Sequence, residues 1–184
     1  LGRDTSGLET TKRKIERLGQ NCICIQADLR DESAIKAACE QILAFSPTWD
    51  ILVNDAGTNK PGFLLDLTAD DWDEIYKINL RAAFLLSKLI VPQMIERRSG
   101  KIINISSVGT FYGTPGIGAY AASKAGMNQL TQTMAVEWGE NNIQINAVCP
   151  TIILTDMGKL IWDAPEKEQM RKKILNRIPL HRFA

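Results

Sequence analysis

The sequence carries a tyrosine and a lysine four residues apart, in the stretch Tyr120-Ala121-Ala122-Ser123-Lys124. On a helix, this spacing places the phenol and the ammonium on the same face. A free phenol has a pKa near ~10, too high for proton transfer near neutrality, and a neighbouring fixed cation favours the phenolate. The pair is therefore a candidate general acid/base for the interconversion of a carbonyl and an alcohol.

Two further polar residues strengthen this hypothesis. Ser107 follows an apolar segment and precedes Tyr120 by a loop's length, so its hydroxyl is a candidate to hold the reacting oxygen beside the phenol. Asn79 lies among apolar neighbours inside a long helical stretch. Taken singly, each residue is as typical of a turn, a cap or a helix kink as of an active site, so their joint placement carries the argument.

Short apolar segments alternate with amphipathic stretches along the whole chain. The pattern predicts helices over residues 8–18, 33–45, 68–94 and 119–138, with a break or kink near Pro92. It predicts strands over residues 22–25, 51–53, 101–105 and 144–148, the second of them buried on both sides. Such alternation favours the α/β class, a doubly wound parallel sheet with helices on both faces. Ligands bind beyond the carboxyl ends of such strands, where the candidate residues fall.

The composition of the 184 residues argues against several other classes. With 45% hydrophobic and 23% charged residues, the chain does not resemble disordered, collagen-like or coiled-coil proteins. A net charge of +1 gives no electrostatic reason to expect a nucleic acid or an anionic membrane as partner. The four cysteines favour buried thiols in a reducing compartment over a metal or disulfide site. No apolar run approaches the ~18 residues of a membrane span, and no leader is visible, so we expect a cytoplasmic protein.

Five ordered motifs together resemble the short-chain dehydrogenase/reductase family over essentially the whole chain. They are residues 54–57 (Asn-Asp-Ala-Gly), Asn79, residues 105–107 (Ile-Ser-Ser), residues 120–125 (Tyr-Ala-Ala-Ser-Lys-Ala) and residues 145–150 (Ile-Asn-Ala-Val-Cys-Pro). The resemblance implies a Rossmann-type sheet and a catalytic tetrad. In that tetrad Tyr120 is the acid/base, and Lys124 lowers its pKa and holds the nicotinamide ribose. Ser107 binds the substrate oxygen, and Asn79 holds a proton-relay water.

The same resemblance implies a dinucleotide site to which Tyr120 and Lys124 also contribute. The other implied cofactor contacts are Asp28 and Leu29 at the adenine, Asn54, Ala56 and Gly57 beside the adenosine ribose, and Pro150, Ile153 and Thr155 at the nicotinamide. Arg3 falls where the family reads the adenosine 2′ position. Because an arginine suits a 2′-phosphate, we favour NADP(H), with NAD(H) as the alternative.

The chain departs from the family pattern at three places. Asp55 replaces an asparagine, and Thr151 replaces a glycine in a way that resembles the dicarbonyl/L-xylulose reductase branch. The glycine-rich phosphate loop is absent. The resemblance therefore implies one domain, residues 1–184, truncated at both ends. It lacks the first strand, the loop and the first helix, a unit of roughly 30 residues, as well as the final helix and strand. Residues 151–179 are expected to form a substrate lid.

Three functions remain open at this point. We favour an NADP(H)- or NAD(H)-dependent oxidoreductase acting on a small carbonyl or alcohol, such as a sugar, polyol or dicarbonyl. A 3-oxoacyl-thioester reductase would share the same tetrad. A non-catalytic dinucleotide-binding or assembly subunit would have no need of an acid/base pair. The resemblance also implies a homotetramer built through the long helices, where Phe84, Leu85, Met127 and Met134 would suit either an interface or the core.

Overall fold

A computed structural model describes residues 1–154 and 167–183. Its centre is a sheet of three strands, β1 (Ile51–Asn54), β2 (Gly100–Ile105) and β3 (Ile143–Val148), in the spatial order β1-β2-β3. Both pairings are parallel, with Val53 beside Ile103 and Ile102 beside Ile145. Parallel strands of this apolar, β-branched composition need helical crossovers, which the intervening helices supply.

The helices match the predicted amphipathic stretches closely. They are α1 (Thr5–Glu16), α2 (Glu32–Phe45), α3 (Ala69–Tyr76), α4 (Ala82–Arg97), α5 (Gly118–Trp138) and α6 (Glu168–Leu175). Short 3-10 turns occupy Val108–Thr110 and Gly139–Asn141. Asp4, Asp31 and Thr68 cap the first three helices by accepting backbone N–H groups, which satisfies donors that have no partner within the helix.

Two of the strand predictions are wrong in the described structure. Residues 22–25 are extended but form no ladder, and the only pairing there is a single bridge between Gly2 and Gln26. A strand requires partner backbone over several residues, and Gly2 alone supplies it here. Strand β1 is not buried on both sides, because Ile51 and Val53 are 53% and 51% exposed. Helices α4 and α5 pack on the sheet, and the face that carries these two residues stays open.

Of the break or kink predicted near Pro92, the break does not occur, since α4 continues to Arg97 with Pro92 inside it. The irregularity lies earlier, in a π-helical turn over Lys77–Arg81 that joins α3 to α4 and contains Asn79. The continuous helical stretch Ala69–Arg97 has a mean hydropathy of 1.3 in its most apolar 18-residue window, of which 56% is buried. Contrary to the sequence expectation, it is a candidate membrane span by length and composition, but buried core helices meet the same criteria.

The core lies between the sheet and helices α2, α4 and α5, with Ile35, Met94 and Ile102 fully buried at its centre. The approach of α4 to β2 is so close that a Cβ atom at Gly100 would lie 2.5 Å from the Met94 sulfur. Of the four apolar residues considered for a subunit interface, three belong to the interior: Leu85, Met127 and Met134 are at most 8% exposed. Phe84 is 42% exposed and remains available to a partner.

Candidate active site

Tyr120 and Lys124 lie one turn apart at the start of α5, as their spacing predicted. The Lys124 side chain is buried, with a relative exposure of 3% for the residue, and its Nζ lies 5.9 Å from the centre of the Tyr120 ring. Nζ donates a 2.7 Å hydrogen bond to the carbonyl oxygen of Ile105, the last residue of β2. The end of a central strand therefore fixes the ammonium beside the phenol.

The burial of Lys124 has an electrostatic consequence. Removal of the ammonium from water lowers the pKa of Lys124, and the negative charge of Asp55 partly opposes this shift. A Cβ atom at Gly57 would lie 3.5 Å from Nζ and 3.6 Å from Oδ1 of Asn79. The Lys124 ammonium therefore lies near both the Tyr120 ring and the site where a side chain at Gly57 would begin.

Asn79 is fully buried in the π-helical turn and has three hydrogen bonds to the protein. Its Oδ1 accepts the Thr58 N–H at 2.7 Å, and its Nδ2 donates to the Thr58 carbonyl and to the Ser123 hydroxyl, each at 3.0 Å. Ser123 donates in turn to the Tyr120 carbonyl at 2.7 Å. Asn79 therefore ties the segment that follows Gly57 to the first turn of α5.

Ser107 follows β2 and begins the short turn at Val108–Thr110. Its hydroxyl accepts the Gly109 N–H at 3.1 Å, and its carbonyl accepts a 2.9 Å bond from the Thr110 hydroxyl. Asn128 of α5 donates to that hydroxyl at 3.0 Å. No hydrogen bond joins Ser107 to Tyr120 in the described part of the chain, and the loop after Ser107 is tied to α5 at Asn128 instead.

A buried polar ladder runs beneath the site. Asn54 Nδ2 donates to Asn104 Oδ1 at 2.8 Å and to Ser87 at 3.2 Å, and Asn104 Nδ2 donates to Thr131 at 2.8 Å. Asn54 Oδ1 is the one buried side-chain polar atom without a partner among the described residues. The sequence motif pointed to Asn54, but nothing in the local pattern indicated Asn104, Ser87 or Thr131, which come from β2, α4 and α5.

The predicted nucleotide contacts divide into three groups. A cavity of about 250 Å³ beyond β1 brings together Arg3, Asp28, Leu29, Ala56 and Gly57, and Thr58 and Ile78 also line it. Pro150 and Ile153 lie after β3 instead, where the Pro150 carbonyl accepts the Val108 N–H at 3.1 Å. Thr155, with much of the expected lid at 151–179, lies outside the described residues.

The cavity combines charged and apolar groups. Arg3 and Asp28 provide charged groups at its rim, and Leu29 and Ile78 provide apolar surface. Hydrogen bonds from Arg30 lower the pKa of the Asp28 carboxylate to about 2. The sequence missed Arg30 because a charged residue in a loop has no pattern that distinguishes it from an ordinary solvated one.

These features define an α/β protein with a tyrosine–lysine site at the carboxyl edge of a parallel sheet. A sequence model described as short chain dehydrogenase matches residues 1–166. The 3-oxoacyl-[acyl-carrier-protein] reductase FabG of Thermotoga maritima is 40% identical over 156 residues, which are 85% of this chain and 61% of that protein. The FabG of Staphylococcus aureus strain Mu50 is 34% identical over 175 residues, 95% of this chain and 69% of that protein.

A solved structure from Agrobacterium tumefaciens, provisionally assigned as a gluconate dehydrogenase, superposes with a TM-score of 0.92 at 31% identity. It covers 100% of this chain, which corresponds to 71% of that one. The chain belongs to the short-chain dehydrogenase family, whose members are oxidoreductases. It spans about three fifths of the length of the Thermotoga relative.

Proposed function

We propose that the protein transfers hydride between NADP(H), or alternatively NAD(H), and a small carbonyl or alcohol such as a sugar, polyol or dicarbonyl. The observation that carries the proposal is the position of Lys124. Its buried ammonium lies beside the Tyr120 ring, and a Cβ atom at Gly57 would lie 3.5 Å from its Nζ. The Lys124 ammonium can thus interact both with the proposed acid/base phenol and with a nucleotide bound in the cavity that Gly57 lines.

The dinucleotide, when bound, supplies or accepts the hydride. In the direction of reduction, Tyr120 donates its phenolic proton to the substrate oxygen while the Ser107 hydroxyl hydrogen-bonds that oxygen. Lys124 stabilises the phenolate left behind, because an adjacent positive charge favours the ionised form. Its other N–H groups are positioned to hold ribose hydroxyls, since Ile105 accepts only one hydrogen bond from Nζ.

Asn79 contributes to proton relay under a constraint that its contacts impose. Both Nδ2 hydrogens are engaged, by Thr58 and by Ser123. A relay water must therefore bind either to the second lone pair of Oδ1 or to a backbone carbonyl released by the π-helical turn. In the first position it would lie near Gly57, because a Cβ atom there would be 3.6 Å from Oδ1 and 3.5 Å from the Lys124 Nζ.

Arg3 supports the preference for NADP(H). It is exposed and lines the cavity that also contains Asp28. We expect Arg3→Ala to raise KM for NADPH by about tenfold, the loss of one charge-assisted contact of ~1.4 kcal/mol, with a much smaller change for NADH. Arg13→Ala, on the exposed face of α1, is the matched control. Equal changes for both cofactors would exclude a 2′-phosphate contact.

Replacement of the phenol tests the reaction itself. Tyr120→Phe should lower kcat by about 10²–10⁴-fold, the usual contribution of a general acid, while titration of NADPH fluorescence shows unchanged binding. Tyr76→Phe is the control, because Tyr76 stacks on Trp72 away from the site. Full activity of the Tyr120 variant would overturn the proposed mechanism. Binding of NADPH without turnover of any carbonyl by the unmodified protein would favour the non-catalytic subunit instead.

A 3-oxoacyl-thioester reductase is the second candidate. It is favoured by the description of the Thermotoga relative and by apolar side chains on the loops near Tyr120. Phe63, Leu64 and Phe111 are each at least 65% exposed, and the Gly62–Ile117 bridge connects the first of these loops to the start of α5. Such a rim suits an acyl chain better than a sugar. A higher kcat/KM for an acetoacetyl thioester than for diacetyl or a ketose would decide for this candidate.

We also propose that the missing elements expected from the sequence include a strand beside β1. Among the described residues, β1 pairs on one side only, with β2. An apolar cavity of about 240 Å³ separates it from the 22–25 segment and contains Ile23, Ile25, Ile51 and Val53. A further parallel strand would fit there. If a further strand pairs with β1, the β1 amides that do not bond to β2 should be protected from hydrogen exchange in the complete protein. The same amides should exchange rapidly in residues 1–184 alone.

We further propose a homotetrameric, cytoplasmic enzyme. The four cysteines, all within the described residues, are free thiols, as expected in a reducing compartment. A groove of about 730 Å³ runs between the π-helical turn and α5, with Leu80, Phe84 and Leu130 among its lining residues. It offers apolar surface to a second copy of the chain.

A further inference from the structure

Five charged side chains form a continuous series of ion pairs beside the cavity that contains Arg3 and Asp28. We refer to Asp28, Arg30, Glu74, Lys60 and Asp71 as the Arg30 network. Arg30 contacts Asp28 and also Glu74, at 3.1 Å. Lys60 contacts Glu74 and Asp71, each at 2.7 Å. The network thus connects three segments that are distant in sequence: the loop before α2, the loop after β1, and α3.

At one end of the network, Arg30 determines how the Asp28 carboxylate is oriented. The Arg30 Nε lies 3.0 Å from each carboxylate oxygen, and the backbone N–H of Arg30 donates to Oδ1 at 2.9 Å. Nη2 also donates to Oδ2. These contacts hold the Asp28 carboxylate in one orientation at the cavity rim. All of them come from Arg30, and no other described side chain forms a hydrogen bond with this carboxylate.

At the other end, Lys60 follows Thr58, which lines the same cavity. Asp71 accepts a hydrogen bond from Lys60 and also forms the capping box of α3 with Thr68. The Lys60 ammonium is therefore anchored to the first turn of α3. With Glu74 bridging Lys60 and Arg30, the network sets the separation between two walls of the cavity, the one with Asp28 and the one with Thr58.

Exposed ion pairs taken singly contribute little, but bidentate geometry and network formation are the recognised exceptions. Arg30 meets both conditions. Its backbone is held as well, since Arg81 donates to the Arg30 carbonyl at 3.5 Å while bonded to Glu32 at 2.9 Å. The guanidinium also offsets the Asp28 charge. Without it, a carboxylate at the rim would repel the phosphates of an incoming dinucleotide.

We propose that Arg30 is a positioning residue for the adenosine half of the dinucleotide. It acts through Asp28 and, by way of Glu74 and Lys60, through Thr58. The inference rests on the proposed dinucleotide-dependent function. It adds a specificity element that lies outside the tyrosine–lysine site and has no role in the chemical step.

The test compares NADPH with reduced nicotinamide mononucleotide, which lacks the adenosine half. In Arg30→Ala we expect KM for NADPH to rise about tenfold or more, with kcat unchanged and with kcat/KM for the mononucleotide unchanged. Arg30→Lys, which keeps the charge but not the bidentate fork, should recover only part of the affinity. Lys172→Ala is the control, because Lys172 forms an exposed ion pair with Glu168 on α6 and shares no contact with the Arg30 network.

A second measurement keeps the result interpretable if Arg30→Ala is unstable. Glu74→Gln leaves the Arg30–Asp28 contact in place and should raise the calorimetric Kd of adenosine 2′,5′-bisphosphate by a smaller factor. The effects of the two variants together should be less than additive, because both act through one network.

The outcomes separate the two proposals. If the unmodified protein binds neither NADPH nor NADH, the proposed function fails, and this inference fails with it. If the unmodified protein uses NADPH and Arg30→Ala has the same KM, only the inference is overturned. Equal losses with NADPH and with the mononucleotide would also overturn it, since they would indicate a general structural role.

Discussion

Asn79 Nδ2 donates a 3.0 Å hydrogen bond to the hydroxyl of Ser123, and the same hydroxyl donates to the Tyr120 carbonyl at 2.7 Å. The two residues come from the π-helical turn and from α5. Both are fully buried, so the bond is protected from competition with water. It joins the residue proposed for proton relay to the helical turn that carries the proposed acid/base.

Ser123→Ala should separate positioning from folding. The variant leaves one Nδ2 hydrogen of Asn79 without an acceptor, at a cost of about 1–3 kcal/mol for a buried group, and frees Tyr120 from one constraint. We expect kcat to fall with little change in KM for NADPH. Ser87→Ala is the matched control, because Ser87 is equally buried and accepts a hydrogen bond from Asn54. A similar loss of kcat in both variants would argue against a specific role for Ser123.

Lys124→Arg should change the pH dependence of alcohol oxidation. Burial lowers the pKa of Lys124, so the ammonium loses its charge at a lower pH than an exposed lysine, and support for the phenolate is lost on the alkaline side. Arginine stays charged, so the alkaline limb of kcat should move to higher pH even at reduced activity. Lys101→Arg, exposed on β2, should leave the profile unchanged. If the alkaline limb of kcat fell at the same pH in Lys124→Arg and in the unmodified protein, Lys124 would not be the group that stabilises the phenolate.

The same pKa shift predicts how stability varies with pH. The folded state binds the Lys124 proton more weakly than the unfolded state does. The buried charge of Lys124 therefore lowers the free energy of unfolding by its full amount below the folded-state pKa. This loss of stability is relieved as the pH rises through that pKa. In Lys124→Met this contribution is absent. The difference in free energy of unfolding between Lys124→Met and the unmodified protein, measured in urea, should decrease as the pH rises toward the ordinary pKa of lysine.

Thr131→Val should destabilise the protein through the polar ladder. Thr131 accepts from Asn104 at 2.8 Å inside the core, and valine has a similar shape but no acceptor. A buried amide hydrogen is left unpaired, so we expect a loss of about 1–3 kcal/mol in urea unfolding. Thr133→Val on the exposed side of α5 should change stability by less than ~0.5 kcal/mol. Equal losses of stability in Thr131→Val and Thr133→Val would mean that the polar ladder does not contribute to the free energy of unfolding.

Phe84→Glu tests the proposed assembly. Phe84 is 42% exposed and lines the groove beside α5. If a second copy covers this groove, a carboxylate would be buried at the contact, and light scattering should show a shift to smaller species. Val136→Glu is the control, because it places the same charge on α5 at a residue that is 81% exposed. An unchanged mass for Phe84→Glu would exclude this face as the interface.

The sequence was most informative where neighbouring residues act together. Tyr120 and Lys124 are one helical turn apart, so their shared face follows from backbone geometry alone. The helices and strands β2 and β3 were predictable because local periodicity matches their burial. The same local reasoning failed at residues 22–25, because strand formation depends on a partner backbone. It also failed to predict that α4 continues past Pro92, because packing can hold a helix together through a proline.

By itself, therefore, the sequence determined the α/β class, the family and the shared helical face of the proposed acid/base pair, since each depends on spacing along the chain. The tertiary structure alone decided which groups surround that pair. It bonded Asn79 to Thr58 and Ser123, linked Asn54 to Asn104, and joined Arg30 to Asp28 and Glu74. Most of these contacts join residues from separate elements, and hydrogen bonds between distant elements exist only after packing has placed them within about 3 Å.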